Sequence, residues 1–188
     1  MRINRILCAA FLLMLSTAPL NAAQIESVEF NERWYTAQQK VLTLRGVALL
    51  RYMIIIKAYV GAFYLDENLT ADQLLNDGVK RIELHYFHAI PAADFVKSTT
   101  IMIEKNVSTR QFNKLRPQIE QMNALYRDVK PGDRYAATYM PGVGTELALN
   151  GKPLGVVPGF EFANAYFSIW LGEHPIDKGF RNHLLGKH

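Results

Sequence analysis

From Val41 to Leu65 the chain reads VLTLRGVALLRY and then MIIIKAYVGAFYL. Both runs are rich in β-branched and aromatic residues, the signature of strands. A third strand follows in KRIELHYFHAI. IPAADFVKSTTIMIEKN then switches to helical spacing, with Phe95, Thr99, Met102, Ile103 and Asn106 near one face. STRQFNKLRPQIEQMNALYRDV predicts a second helix, opened by Ser108 or Thr109, with Pro117 as a point where it kinks or splits. After a KPGD turn, RYAATYMPG and TELALNGKPLGVV return to strands, the latter a hairpin about Asn150-Gly151, a pair suited to a type I′ turn. GFEFANAYFSIWLG predicts a helix stopped by Gly172, and a short helix from about Asp177 to Leu185 closes the chain. A further short helix is expected over LTADQLLNDG, with Thr70 as N-cap and Gly78 as stop. Strands and helices come in blocks, not in βαβα alternation. That order predicts an α+β domain, an antiparallel sheet with helices on one face.

The first residues belong to another class. MRINR is a positive head, ILCAAFLLMLSTA an apolar run too short for a membrane span, and PLNAAQ a stretch of small residues. Residues 1–23 therefore predict a secretory signal, cleaved near Ala22 or Ala23, and residues 24–188 one domain. The expected location is the periplasm, with no membrane span left after processing. Cys8 falls in the signal, so the processed chain has no disulfide, thiol nucleophile or thiolate metal site. The formal net charge of +4 falls by the charges of Arg2 and Arg5, too little to argue for nucleic acid.

Catalytic motifs do not stand out. PGVGTELALNG is glycine-rich but lacks a phosphate-loop pattern before a helix, and no GxSxG elbow is present. The histidines lack metal-ligand spacing; His85 and His88, three apart on a strand, would point to opposite faces. Neither a metal nor a cofactor is expected. Arg51 and Lys57 are the anomaly, because they sit within an apolar segment. On a continuous strand Arg51, Lys57 and Tyr59 share a face, with Val47 and Leu49 before them. Either these side chains reach the rim and are solvated, or Arg51 holds an anion through its guanidinium fork while Tyr59 adds a hydroxyl. The second arrangement requires the chain to bend or turn back between them.

LRGVALLRYMIIIKAYVGAFYL, KRIELHYFHAIPAADF, PGVGTELALNGKPLG and SIWLGEHPIDKGFRNHLLG, in this order, resemble the bacterial chalcone isomerase-like family over nearly the whole processed chain. The resemblance implies an open-faced β-sandwich of the chalcone isomerase type, a large antiparallel sheet with a layer of helices and a ligand cleft between them. It also implies a set of site positions. Arg51 matches the family's strand arginine, and Tyr59 stands where the enzymes carry a strand threonine. Asn106 matches a helix asparagine, Thr99 takes the place of a helix tyrosine, and Ile169 that of a late hydroxyl residue. In the non-catalytic, fatty-acid-binding branch, an arginine and a tyrosine at the first two positions grip a carboxylate.

The expectation is therefore an exported binder of a small apolar carboxylate such as a fatty acid. Its ligand-binding residues would be Arg51, Tyr59, Thr99, Asn106 and Ile169, and the alkyl tail would lie among Ile55, Phe95, Met102, Ile103 and Phe167. Two alternatives stand beside it. One is an isomerase or intramolecular lyase acting on an unsaturated compound, with Arg51 and Asn106 as catalytic groups. The other is an accessory periplasmic protein with a filled core.

Overall fold

A computed structural model describes residues 22–53, 55–70 and 73–187. The elements run β1 (Ala22–Ile25), β2 (Val28–Asn31), β3 (Arg33–Tyr35), β4 (Val41–Tyr52), β5 (Ile56–Asp66), β6 (Lys80–Tyr86), α1 (Ala92–Asn106), α2 (Thr109–Leu125), β7 (Arg134–Met140), β8 (Gly144–Leu149), β9 (Lys152–Val157), α3 (Phe160–Leu171) and α4 (Lys178–Leu184). Strands β3 to β9 form one antiparallel seven-stranded sheet in which every strand pairs with its neighbours in sequence. β1 and β2 form a separate hairpin, closed by Glu26 and Ser27, both at positive φ. The four helices and the main core cover one sheet face. The β1–β2 hairpin and a smaller core around Phe30, Leu42, Val60 and Tyr64 cover the other. This is the α+β open-faced sandwich expected of the sequence.

Local chemistry explains the helices. Ser108 and Gln111 form a reciprocal capping box that opens α2. α2 runs through Pro117 without splitting; that residue is solvent-exposed, so water can reach the carbonyl its ring leaves unpaired. α3 buries nine of its residues, so it is apolar all round and forms the centre of the helical layer. Asn150 and Gly151, at φ 51° and 76°, make the expected turn between β8 and β9. Gly46 is obligatory for packing: a Cβ there would run into the carbonyls of His183 and Leu184 on α4.

Three details differ from the sequence reading. The segment expected as a helix over 69–78 forms turns among its described residues, where Gln73 N donates to Thr70 O and Asn76 N to Gln73 O; residues 71 and 72 lie outside the described residues. β6 ends at Tyr86, so His88 is not on the strand with His85. The hairpin formed by β1 and β2, and the short edge strand β3, carried no expectation. The expected signal lies, but for Ala22 and Ala23 of β1, outside the described residues.

Lys80 is fully buried beneath α3, where its ammonium donates to Leu74 O at 3.0 Å and Asn76 O at 2.8 Å and faces the rings of Tyr139, Phe160 and Phe167. Burial lowers its pKa to about 8, partly countered by nearby Asp77. An unfolded lysine keeps its proton to about pH 10.4. The unfolded state therefore binds more protons between those values, and stability must rise with pH across them. Towards pH 10 the buried tyrosines act oppositely, because they ionise only in the unfolded chain. Lys80→Met carries the same tyrosines, so urea denaturation of both proteins isolates the lysine: from pH 8 to 10 the wild type should gain about 2 kcal/mol relative to the variant. Equal slopes for the two proteins would mean that Lys80 does not bury its charge.

Candidate functional site

A cavity of about 400 Å³ lies between the inner sheet face and the helical layer. Its floor comes from alternate residues of successive strands: Tyr59 on β5, Ile82, Leu84 and Tyr86 on β6, Tyr135 and Ala137 on β7, and Leu147 on β8. Strand pleating sends these to one face and their neighbours to the other. Phe95 and Thr99 of α1, Tyr126 at the end of α2, and Tyr166, Ile169 and Trp170 of α3 form the roof. Ile90, Ile176 and the exposed Asp94 and Ser98 lie at the rim.

The walls are mainly apolar but carry an ordered set of hydroxyls. Thr99 Oγ1, Tyr126 OH and Tyr166 OH form a chain with links of 2.8 and 3.0 Å. Trp170 Nε1 donates to Tyr59 OH at 3.3 Å. Tyr135 points its hydroxyl outward, donating to Arg127 O and accepting from Arg127 N. Tyr86 sits among Tyr59, Phe95 and Tyr135, with ring centroids 5.4–6.1 Å away. Burial raises the pKa of Tyr59, Tyr86 and Tyr166, and pushes Tyr126 up to about 12. These phenols stay protonated at any ordinary pH. Among the described residues, no cluster of His, Cys, Asp or Glu could hold a metal ion, and no helix is long and apolar enough to cross a membrane.

Of the residues singled out in the sequence, Tyr59, Thr99 and Ile169 meet in this cavity, together with Phe95 from the expected tail contacts. Arg51 and Asn106 do not line it. Asn106 instead ties the end of α1 to the segment after α3, donating to His174 O at 2.9 Å and accepting from His174 N at 3.1 Å. Met102, Ile103 and Phe167 are buried core, and Ile55 is exposed on the turn between β4 and β5.

The position of Arg51 follows from strand parity. The chain does turn back between Arg51 and Tyr59, where β4 gives way to the antiparallel β5. Antiparallel pairing then sets Leu50 opposite Tyr59, so from Gly46 to Leu50 the even residues of β4 share a face with odd residues of β5. A bulge just beyond, which leaves Ala58 unpaired, sets Arg51 opposite Lys57 and turns Lys57 to the same side. Both cations reach Glu26 of the β1–β2 turn, Lys57 at 2.5 Å and Arg51 at 3.7 Å, on the face away from the cavity. The two charges in the apolar stretch are thus half-exposed and share one carboxylate.

Sequence reasoning missed Tyr86, Tyr126, Tyr135 and Tyr166. Two of them carried a signal. Leu115, Ile119, Met122 and Tyr126 form one helical stripe, and Tyr86 continues the inward series Ile82, Leu84. Tyr166 lies on a helix with no polar face, where periodicity says nothing about direction.

The sequence family described as chalcone isomerase-like matches residues 22–186. No curated protein matches the chain by sequence. Among solved structures, the fold is similar to that of a fatty-acid binding protein from Arabidopsis thaliana, with a TM-score of 0.69 and 17% identity over 88% of this chain and 96% of that one.

Proposed function

This chain belongs to the chalcone isomerase-like family, and we propose that it is a non-catalytic binding protein that holds a small, mainly apolar molecule such as a fatty acid in the tyrosine-lined cavity. The observation that carries this reading is the cavity itself. It is apolar over most of its wall, has a few convergent hydroxyls, and falls in the range of about 300–1,000 Å³ typical of small-molecule sites. The fold shared with the Arabidopsis fatty-acid binding protein supports the same reading. Arg51, the sequence's candidate for stabilising developing negative charge in an isomerase, lies on the opposite sheet face. Export to the periplasm through residues 1–23 forms part of the proposal.

Native mass spectrometry of the full-length gene product, expressed with its own leader and recovered from the periplasm, tests it. The expected result is a processed chain beginning near Ala23 that releases bound acyl compounds on solvent extraction. An empty protein that also fails to take up added acyl compounds would overturn the binding role, and an unprocessed chain would overturn export.

A further inference from the structure

Resting on that binding role, we infer that the ligand meets the cavity through an uncharged oxygen, as an alcohol, ester, ketone or undissociated acid, and not through a carboxylate. No lysine, arginine or histidine lines the cavity among the described residues. The guanidinium of Arg127 at the end of α2 is held by the carbonyls of Ala124, Leu125 and Tyr126. That of Arg181 on α4 donates to Leu171 O. The charged side chain on the rim is Asp94, and Asp177 acts on Tyr59 from the start of α4. Both are acidic and would repel an anion.

The cavity instead offers hydrogen-bond donors. Tyr86 OH has no hydrogen-bond partner among the described residues. Tyr59 OH accepts from Trp170 and keeps its own proton to give. In the Thr99–Tyr126–Tyr166 chain, three hydroxyl protons serve two links, so one remains. Spare O–H donors call for an acceptor oxygen. Burying an ionised carboxylate with no cation is far more costly than burying the same group neutral, so an acid would enter protonated. The phenols facing the ligand, Tyr59, Tyr86, Tyr126 and Tyr166, are all held protonated by burial. Any pH dependence of binding between pH 5 and 8 therefore comes from the ligand.

Calorimetric titration of the full protein with 1-dodecanol, methyl dodecanoate and dodecanoic acid from pH 5 to 8 tests this. The alcohol and ester should bind with one affinity throughout. The acid should weaken about tenfold per pH unit above its own pKa, and at pH 8 bind at least about 100-fold more weakly than the alcohol. Tyr86→Phe, which removes a hydroxyl bonded to no described residue, should weaken the alcohol roughly 3- to 10-fold. Dodecanoate bound as tightly as dodecanol at pH 8, without pH dependence, would overturn the inference and leave the binding role intact. Failure of all three ligands to bind would overturn the binding role itself.

Discussion

Replacing Glu83 by alanine should destabilise the protein by about 3–5 kcal/mol. Glu83 is buried on β6, on the sheet face away from the cavity. Its carboxylate accepts from Arg81 at 2.8 Å and from Arg134 at 3.1 Å. Arg81 is itself buried, donates to Thr138 Oγ1 and lies 4.3 Å from the Trp34 ring centre. Arg134 lies 4.6 Å from that of Phe30 and donates to Glu29 O. The carboxylate thus holds two guanidiniums that in turn dock the β1–β2 hairpin and β3 on the sheet. Without it, Arg81 would stay buried beside a like charge. The double variant Glu83→Ala/Arg81→Met should recover much of the loss, because replacing both partners with apolar groups removes the uncompensated charge. Urea midpoints of the four proteins in the cycle measure this. A single-variant loss under about 1 kcal/mol would show that the network does not secure this face.

Ala137→Trp should abolish ligand binding while leaving the protein folded. Ala137 lies on β7 between Ile82 of β6 and Leu147 of β8, and all three line the cavity floor. An indole at this position projects into open space, so the 1–3 kcal/mol usual for overpacking a filled core should be largely avoided. The expected outcome is a thermal midpoint within a few degrees of wild type and an affinity at least about tenfold weaker for whichever of dodecanol and dodecanoic acid the wild type binds. Undiminished binding by the folded variant would place the ligand elsewhere.

Much of the fold was legible because it depends on local chemistry. The β-branched runs at 41–65, the Ser108 cap, the Asn150-Gly151 turn and the stop at Gly172 each act through near neighbours, and all are found. The short hairpin β1–β2 and the edge strand β3 were not legible, since four- and three-residue strands carry too little periodicity. The candidate site was legible only in part. Tyr59 could be placed from its own strand. Its relation to Arg51 could not, because two odd-numbered residues share a face only along one uninterrupted strand. Here the reversal between β4 and β5 exchanged odd for even, and a bulge at Ala58 then reversed Lys57 as well.

By itself, then, the sequence determined the order of the longer strands and helices, the layer architecture and the family, because repeating patterns of size and polarity are properties of the chain alone. Only the tertiary structure decided what the cavity contains. It directed Arg51 and Lys57 to Glu26 on one face and gathered tyrosines from three strands and two helices on the other. The cavity's neutrality is a sum over side chains far apart in sequence, set by strand register and helix docking, and no local pattern carries that sum.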